Sequence, residues 1–553
     1  MRHSVALLTI AAAVLFLMFA SSTPVAQAQP QSLLTRHVRD VTLNGQAPFV
    51  GRLPATQSMR LDIVLPVRDQ AGLDGFLQEL YDPSSPAYRH FLTVEQFTER
   101  FGPSQEDYDA VISFARANGF TVAGGSRDGM DVQLKGSVAD IETAFHVAMG
   151  LYHDPIENRD FYAPDREPTV DLPFRLWHIS GLDNYSIPHP EFVRRPEGAV
   201  TPADGPGSCP GQQFCGSDMR AAYYEGTALT GKGQNIGLFE FGGYDISDLN
   251  LYYQTAKQKR LGKVICVSVD GTSCGNSGDD SEQILDMTQA LGMAPEATVY
   301  VFVGNPSGSD AAATAILASM SSHKPLPLQM GTSWFWGPPD VKAVDLYFKK
   351  MAAQGQSYFK GAGDYGAWSY GNYGGPVWPR DDAWVTLVGG TDLTTKGPGK
   401  GWASETGWSD GGGGISPDGI LIPSYQKLKG VITKANQGST KYRNGPDVSA
   451  MADQYFYYCA DGSCQGGGGG VSFATPMWAG YLALANQQAA AKKLPPPGFI
   501  NPAIYPLGLG KTYHTDFHDI TSGGNGYPPT KGYDLTTGWG SPNTDGLINA
   551  LAK

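Results

Sequence analysis

Cysteine is absent from the first 200 residues of this 553-residue chain. The six that follow stand in three close pairs: Cys209 with Cys215, Cys266 with Cys274, and Cys459 with Cys464. No pair has the Cys-x-x-Cys spacing of a zinc site. Three local disulfides are therefore the economical reading, with free buried thiols as the alternative. Histidine is scarce too, since after residue 200 only His323, His514 and His518 remain. None of the three sits in a convincing context for the base that a serine nucleophile usually needs. Positive charge is in deficit, with 40 Lys and Arg against 53 Asp and Glu and a net charge of -13. That balance argues against nucleic acid as a partner. Beyond the N-terminus no apolar run is long enough to span a bilayer.

What is abundant is glycine, 70 residues of it, which implies tight turns and backbone running close to ligands. The length calls for two or three domains. Arg2 and His3, the apolar run Val5 to Ala20 and the small residues Ala26-Gln27-Ala28 form a secretory signal pattern over 1–28. An uncleaved membrane anchor is the competing reading of the same run. Residues 31–187 mix strand-like stretches ("MRLDIVLPV", "DVQLKGS") with helical ones. Those include 70–81 and the Thr- or Ser-capped "TVEQFTERFG" and "SQEDYDAVISFARANGF". This block reads as an α+β domain. Residues 188–211, rich in Pro, Gly and charge, read as an exposed linker.

From 212 to 553 short apolar runs ("NIGLFEF", "KVICVSV", "ATVYVFVG", "QSYFKGAG", "AWVTLVGG") alternate with helical segments. The fold class is therefore α/β, a parallel sheet covered on both faces. Ligand sites in such sheets lie at the carboxyl ends of the strands.

In "QGGGGGVSFATPMWAG" five glycines deliver Ser472 to the start of a helix expected over 473–485. An exposed hydroxyl beside free backbone N–H groups suits a nucleophile; a plain serine N-cap is the alternative. Glu282 and Asp286 lie four apart in "SEQILDMTQAL", on one face of a helix with Cβ atoms about 6 Å apart. Like charges that close raise at least one pKa; a solvated acidic helix face is the alternative. Asp364 follows an apolar strand in "KGAGDYGAW", where a protonated acid could donate to an oxyanion or simply close a turn. "HDITSGGNGYPPTKGYD" places Asp519 and Asp534 around a glycine-rich loop, a pattern of oxygen donors that suits calcium. His514, His518 and Asp519 could instead share a transition metal, but the Glu of His-Glu-x-x-His is missing.

Taken in order, "YRHFLTVEQFTERFGPSQED", "SEQILD", "AGDYG", "ETGWSDGGGGIS", "PSYQ", "GPDVSAMAD" and "GGVSFATPMWAG" resemble the sedolisin family of serine-carboxyl peptidases, kumamolisin type. The resemblance spans nearly the whole chain after the signal. Two departures are Val471, where the family usually has Thr, and Tyr365, where it often has Ser. The resemblance implies a subtilisin-like domain at 212–553 behind an activation prodomain at 31–187, with the processing region in 188–211. It implies Ser472 as nucleophile, Glu282 as general base, Asp286 as the residue that holds and tunes it, and Asp364 as oxyanion partner. Glu240 in "LFEFGGYD" would be a further acid of the chain, joined by either Trp334 or Trp336. One Ca2+ is implied on the side chains of Asp519 and Asp534 and the carbonyls of Ile520, Thr530 and Gly532.

The expectation is a secreted, acid-active, monomeric endopeptidase zymogen. It would act on protein or peptide substrates, with its own prodomain as inhibitor and folding aid. Neither nucleic acid nor, once the signal is removed, a membrane is expected as a partner. The rival from another class is a catalytically silent peptide-binding relative.

Overall fold

The computed structural model describes residues 30–194, 207–275, 278–306, 309–368 and 381–553. The signal pattern and half of the linker, 195–206, lie outside these residues. The N-terminal block forms an antiparallel four-stranded sheet in the order Thr121–Gly124, Asp131–Ser137, Ser58–Val64 and His178–Ser180. Alternation on the central strands buries Leu61, Ile63, Val132 and Leu134 against Ile141 and Phe145. Two expected caps are present. Thr93 and Gln96 close a capping box on the helix Val94–Arg100, and Ser104 accepts from the Asp107 amide at the start of Gln105–Ala117. A second, three-stranded sheet (Phe49–Arg52, Met149–Asp154 and Arg159–Pro164) had no expectation behind it.

The C-terminal block is built on an eight-stranded sheet. The path runs Lys263–Ser268, Thr298–Gly304, Asn235–Phe241, Gln329–Thr332, Ser357–Gly361, Thr386–Thr395 and Trp402–Gly407, and Val448–Met451 also pairs with Thr386–Thr395. All pairings are parallel except that of the edge strand Trp402–Gly407. The two faces carry different helices. A Cβ on Gly237 would meet Met320 of the helix Asp310–Met320, whereas one on Gly331 would meet Thr475 of the helix Val471–Ala491. Gly237 is paired with Met330, so Gly331 faces the other way. Both faces are thus covered, as the continuous apolar strands require.

The helix Val471–Ala491 starts two residues earlier than expected and runs longer. Ser472 therefore lies inside its first turn, after Gly470 at φ 120°, a conformation that disfavours any side chain. Small residues let this helix cross Ser281–Met293 closely: a Cβ on Gly480 would stand 2.8 Å from the Ala290 carbonyl.

The N-terminal block docks on the opposite face. Leu73, Phe76 and Leu77 share one core with Tyr347, Phe348 and Met351 of the helix Asp345–Ala353. Asp310 accepts from the Gly181 amide at 2.7 Å, and Tyr81 donates to the Ala352 carbonyl at 2.8 Å. The buried Arg39 bridges Asp183 and the Gly337 carbonyl.

Residues 188–194 are tied to the C-terminal block by strand pairing, although His189, Pro190 and Arg194 stay exposed as expected of a linker. His189–Pro190 pairs antiparallel with Trp334–Phe335, Val193–Arg194 pairs antiparallel with Gly468 and Gly469, and Glu191 between them is fully buried. The partners come from two distant segments, which local composition cannot reveal.

Candidate active site

Ser472, Glu282, Asp286, Asp364 and Glu240 converge at the carboxyl ends of the parallel strands, and each is at most 2 % exposed. Glu240 stands near the end of Asn235–Phe241, Ser333 and Trp334 just beyond Gln329–Thr332, and Asp364 three residues past Ser357–Gly361. Glu282 and Asp286 project from the first two turns of the buried helix Ser281–Met293. The alternative of a solvated acidic face is thereby excluded.

The Ser472 hydroxyl donates to the carbonyl oxygen of Glu191, and the Ser472 amide points at the same oxygen from 3.3 Å. Space for that carbonyl exists because position 470 is glycine: a Cβ there would lie 2.4 Å from Glu191 O and 2.6 Å from Asp364 Oδ2. Asp364 Oδ1 accepts from the Val471 amide at 2.8 Å, which ties its loop to the helix start. Burial, then the neighbouring Glu191, pushes the Asp364 carboxyl well above its usual range.

Burial also raises Glu282 and Asp286 far above ordinary carboxylates. For Glu282 the Ser472 hydroxyl acts in the opposite direction, while Glu240, Asp364 and Glu191 add to the rise. Among the described residues neither Glu282 oxygen accepts a hydrogen bond: the nearby Ser472 hydroxyl is turned to the Glu191 carbonyl. Asp286 accepts from Ser333 Oγ at 2.8 Å. Glu240 accepts from Trp334 Nε1 at 2.7 Å, and burial holds it at about 7. Of the two tryptophans left open by the sequence, Trp334 therefore joins the acid chain. Trp336 stacks on Phe239 instead.

Pro476 has a local role as well. It lacks the N–H that would bond the Ser472 carbonyl one turn back, and Ser333 Oγ lies 3.4 Å from that carbonyl. Sequence reasoning missed Ser333, Lys360 and Glu191. The signal for Lys360 was present, a lone lysine inside the apolar run "QSYFKGAG".

The three histidines left for catalysis lie elsewhere. His323 bonds the Pro325 carbonyl and packs against Tyr300 and Phe302. His518 stacks on Trp402 at 4.0 Å, and burial lowers it to about 4. His514 packs against Tyr513. No group of three or more His, Cys, Asp or Glu side chains able to hold a metal occurs among the described residues, which removes the reading of a shared transition metal at 514–519.

The glycine-rich loop closes between the two expected acids. Asp519 Oδ1 accepts from the Gly532 amide at 3.0 Å, and Asp534 accepts from the amides of Thr530, Thr536 and Thr537 at 2.7–3.0 Å. Asp534 is buried, its donors are neutral, and burial raises it to about 7. A hard cation bound by oxygen donors would fit such a carboxylate. The same loop supports the active site, since the Asn525 carbonyl accepts from the Ala367 amide at 2.9 Å, three residues past Asp364. All three cysteine pairs are disulfide-bonded.

A subtilisin-like α/β sheet carrying a helix-borne serine among buried carboxylates, behind a docked N-terminal domain, defines a serine-carboxyl peptidase, a hydrolase built as a zymogen. Residues 46–183 match the Pro-kumamolisin activation domain. Kumamolisin from Bacillus sp. (strain MN-32) is 29% identical, over 96% of this chain and 97% of its own. Xanthomonalisin from Xanthomonas sp. (strain T-22) is 26% identical over 91% of this chain and 66% of its own. The structure of Pseudomonas sedolisin, a serine-carboxyl proteinase complexed with pseudo-iodotyrostatin, superposes with a TM-score of 0.51 at 26% identity. It covers 61% of this chain and 96% of that one. These likenesses support a kumamolisin-like member of the sedolisin family.

Proposed function

We propose that the protein is a secreted, acid-active serine endopeptidase in which Ser472 is the nucleophile and Glu282 its general base. The observation that carries this reading is the seating of the Glu191 carbonyl on both the hydroxyl and the amide of Ser472, within the cluster of buried acids. For attack, the hydroxyl hydrogen turns from that carbonyl to Glu282. Glu282, Asp286 and Glu240 titrate as one cluster, and the negative charge that cluster retains makes Glu282 the acceptor: Oγ bonds the carbonyl carbon while Glu282 takes the proton. The Ser472 amide and a protonated Asp364 receive the oxyanion. Glu282 returns the proton to the departing amine, and water repeats the sequence on the ester. Asp286, held by Ser333, and Glu240, held by Trp334, tune Glu282 through their shared charge.

Acidity suits this machinery twice. It favours the neutral Asp364 that donates, and it weakens contacts that hold the prodomain. Export is supported by three disulfides and by the N-terminal signal pattern, and no helix among the described residues is long and apolar enough to cross a membrane. Asp519, Asp534 and the carbonyls of Ile520, Thr530 and Gly532 would hold one Ca2+. The ion would neutralise Asp534 and fix the loop that supports Asp364.

Purified zymogen brought to pH ~4, near model carboxylate pKa values, should process itself, and Ser472→Ala zymogen should stay intact. Self-processing by pure Ser472→Ala protein would overturn the proposal. A folded wild type without hydrolysis of any peptide would leave the silent peptide-binding reading.

A further inference from the structure

Lys360 is a residue the peptidase mechanism above does not use. It sits at the end of a central strand, fully buried, where a lone ammonium carries a large desolvation cost unless paired. Its partner is the side chain of Glu191, itself fully buried, and the two form an ion pair. Lys360 also donates to the Gly361 carbonyl at 3.0 Å and lies 4.6 Å from the centre of the Phe335 ring. The pocket is shaped for a carboxylate-bearing chain: a Cβ on Gly361 would come within 1.8 Å of Glu191 Oε2. On the other side of the peptide bond, Phe192 packs edge-on to Tyr458 at 4.9 Å and lies 6.0 Å from Phe473.

Extended backbone on both sides of the Glu191–Phe192 bond is paired antiparallel with the enzyme, the way a peptide substrate is held by strand addition. The Glu191 carbonyl is the one seated on Ser472. Resting on the catalytic reading above, we infer that Lys360 is the specificity-determining residue of the pocket for the side chain preceding the cleaved bond. It selects glutamate there, and Glu191–Phe192 is the zymogen's first self-cleavage site. Ser472 Oγ bonds the Glu191 carbonyl carbon, the bond to the Phe192 nitrogen breaks, and Glu282 protonates that amine. Water then hydrolyses the ester, so one water is consumed and Phe192 becomes the new N-terminus. In the mature enzyme an incoming glutamate restores the ion pair, whereas an apolar side chain offers Lys360 no carboxylate and leaves it the Gly361 carbonyl.

Two readouts test this. In the first minutes after acidification, N-terminal sequencing of the zymogen should give Phe192; a first cleavage elsewhere overturns the assignment of the bond. The mature enzyme, assayed on matched peptides that differ only as Glu-Phe, Gln-Phe or Leu-Phe, should favour Glu over Leu by about 10- to 1,000-fold in kcat/KM. The Glu-to-Gln ratio should rise between pH 3 and 5 as the peptide glutamate, with a pKa of about 4.3, ionises. Lys360→Met should collapse the Glu preference, and Lys360→Glu should shift it toward Lys or Arg. A flat Glu-to-Gln ratio in active wild-type enzyme overturns the selectivity without requiring either variant to fold. Absence of hydrolysis on every peptide would instead refute the catalytic reading.

Discussion

Glu282→Gln separates the catalytic from the structural consequences of one buried carboxylate. The change is isosteric and the site is 2 % exposed, so packing is retained while the proton acceptor is removed. General acid–base catalysis typically supplies about 10²–10⁴-fold, which is about 3–5 kcal/mol of barrier. Turnover of a peptide substrate at acid pH should fall by that factor or more. Stability should move the other way. Burial raises the Glu282 pKa above its ordinary 4.5, and neither oxygen accepts a hydrogen bond from the described residues.

A raised acid costs the folded state nothing below pH 4.5. Above it, the unfolded chain ionises while the folded one resists. The wild type therefore carries a penalty that grows with pH, and glutamine removes it. Two pH units at about 1.36 kcal/mol each bound the gain near ~3 kcal/mol at pH 6.5, shared with Asp286 and Glu240. With about 2.1 cal/mol/K of unfolding entropy per residue, that is a rise in Tm of about 2–3 °C for a chain of this length. Melting should be compared in a Ser472→Ala background, so that self-cleavage does not intervene. Turnover within threefold of wild type, or a stability difference that does not grow between pH 4.5 and 6.5, would refute the reasoning. Loss of turnover on replacing His323, His514 and His518 in folded protein would do the same.

Calcium removal should be visible in melting: EGTA should lower the Tm of the wild type, and Asp534→Ala should abolish the sensitivity, as linkage requires; equal melting of metal-loaded protein with and without chelator would exclude the ion. His37 should contribute to acid-induced release of the prodomain. It stacks on His178 at 4.3 Å, accepts from the Ile179 amide, and faces Glu167, while His178 faces Asp310. Burial, then His178, lowers it from 6.5 to about 4. The stability it contributes is complete above pH 6.5 and is lost as pH falls toward 4, by about 3 kcal/mol at most. Ser472→Ala zymogen carrying His37→Phe should therefore show a shallower fall in Tm across that window than Ser472→Ala alone, and an unchanged slope would exclude His37. Gly480→Ala should destabilise the catalytic domain by about 1–3 kcal/mol and slow turnover, because the added methyl pushes the nucleophile helix off the helix bearing Glu282; an unchanged Tm would show that the crossing has slack.

The parallel strands were legible because burial on both faces writes itself as an uninterrupted apolar run. Asn235–Phe241 coincides with "NIGLFEF" for that reason. The acid pair was legible from its spacing of four, and Ser472 from the glycines before it. What stayed hidden depends on distant chain segments. Whether Trp334 or Trp336 meets Glu240 turns on which ring lies beside Glu240 and Phe241 and which stacks on Phe239, and composition cannot decide that. Residues 188–194 read as part of an exposed connector because they open the Pro-, Gly- and charge-rich stretch 188–211. What the sequence did not show is that strands at 334–335 and 468–469 pair with them and bury Glu191 between. The hairpin Met149–Asp154 with Arg159–Pro164 was missed because its turn residue Asn158, at φ 51°, supplies the reversal without a glycine.

The central claim is that a serine activated by a carboxylate, with no histidine, performs the chemistry. Covalent labelling tests it most directly: mature enzyme treated with a fluorophosphonate at acid pH, digested, and mapped by mass spectrometry. A single adduct on Ser472 is expected, formed at least about 100-fold more slowly in Glu282→Gln and at the wild-type rate when His323, His514 and His518 are replaced together. An adduct on another residue, or labelling of Ser472 that depends on a histidine and not on Glu282, would contradict the account.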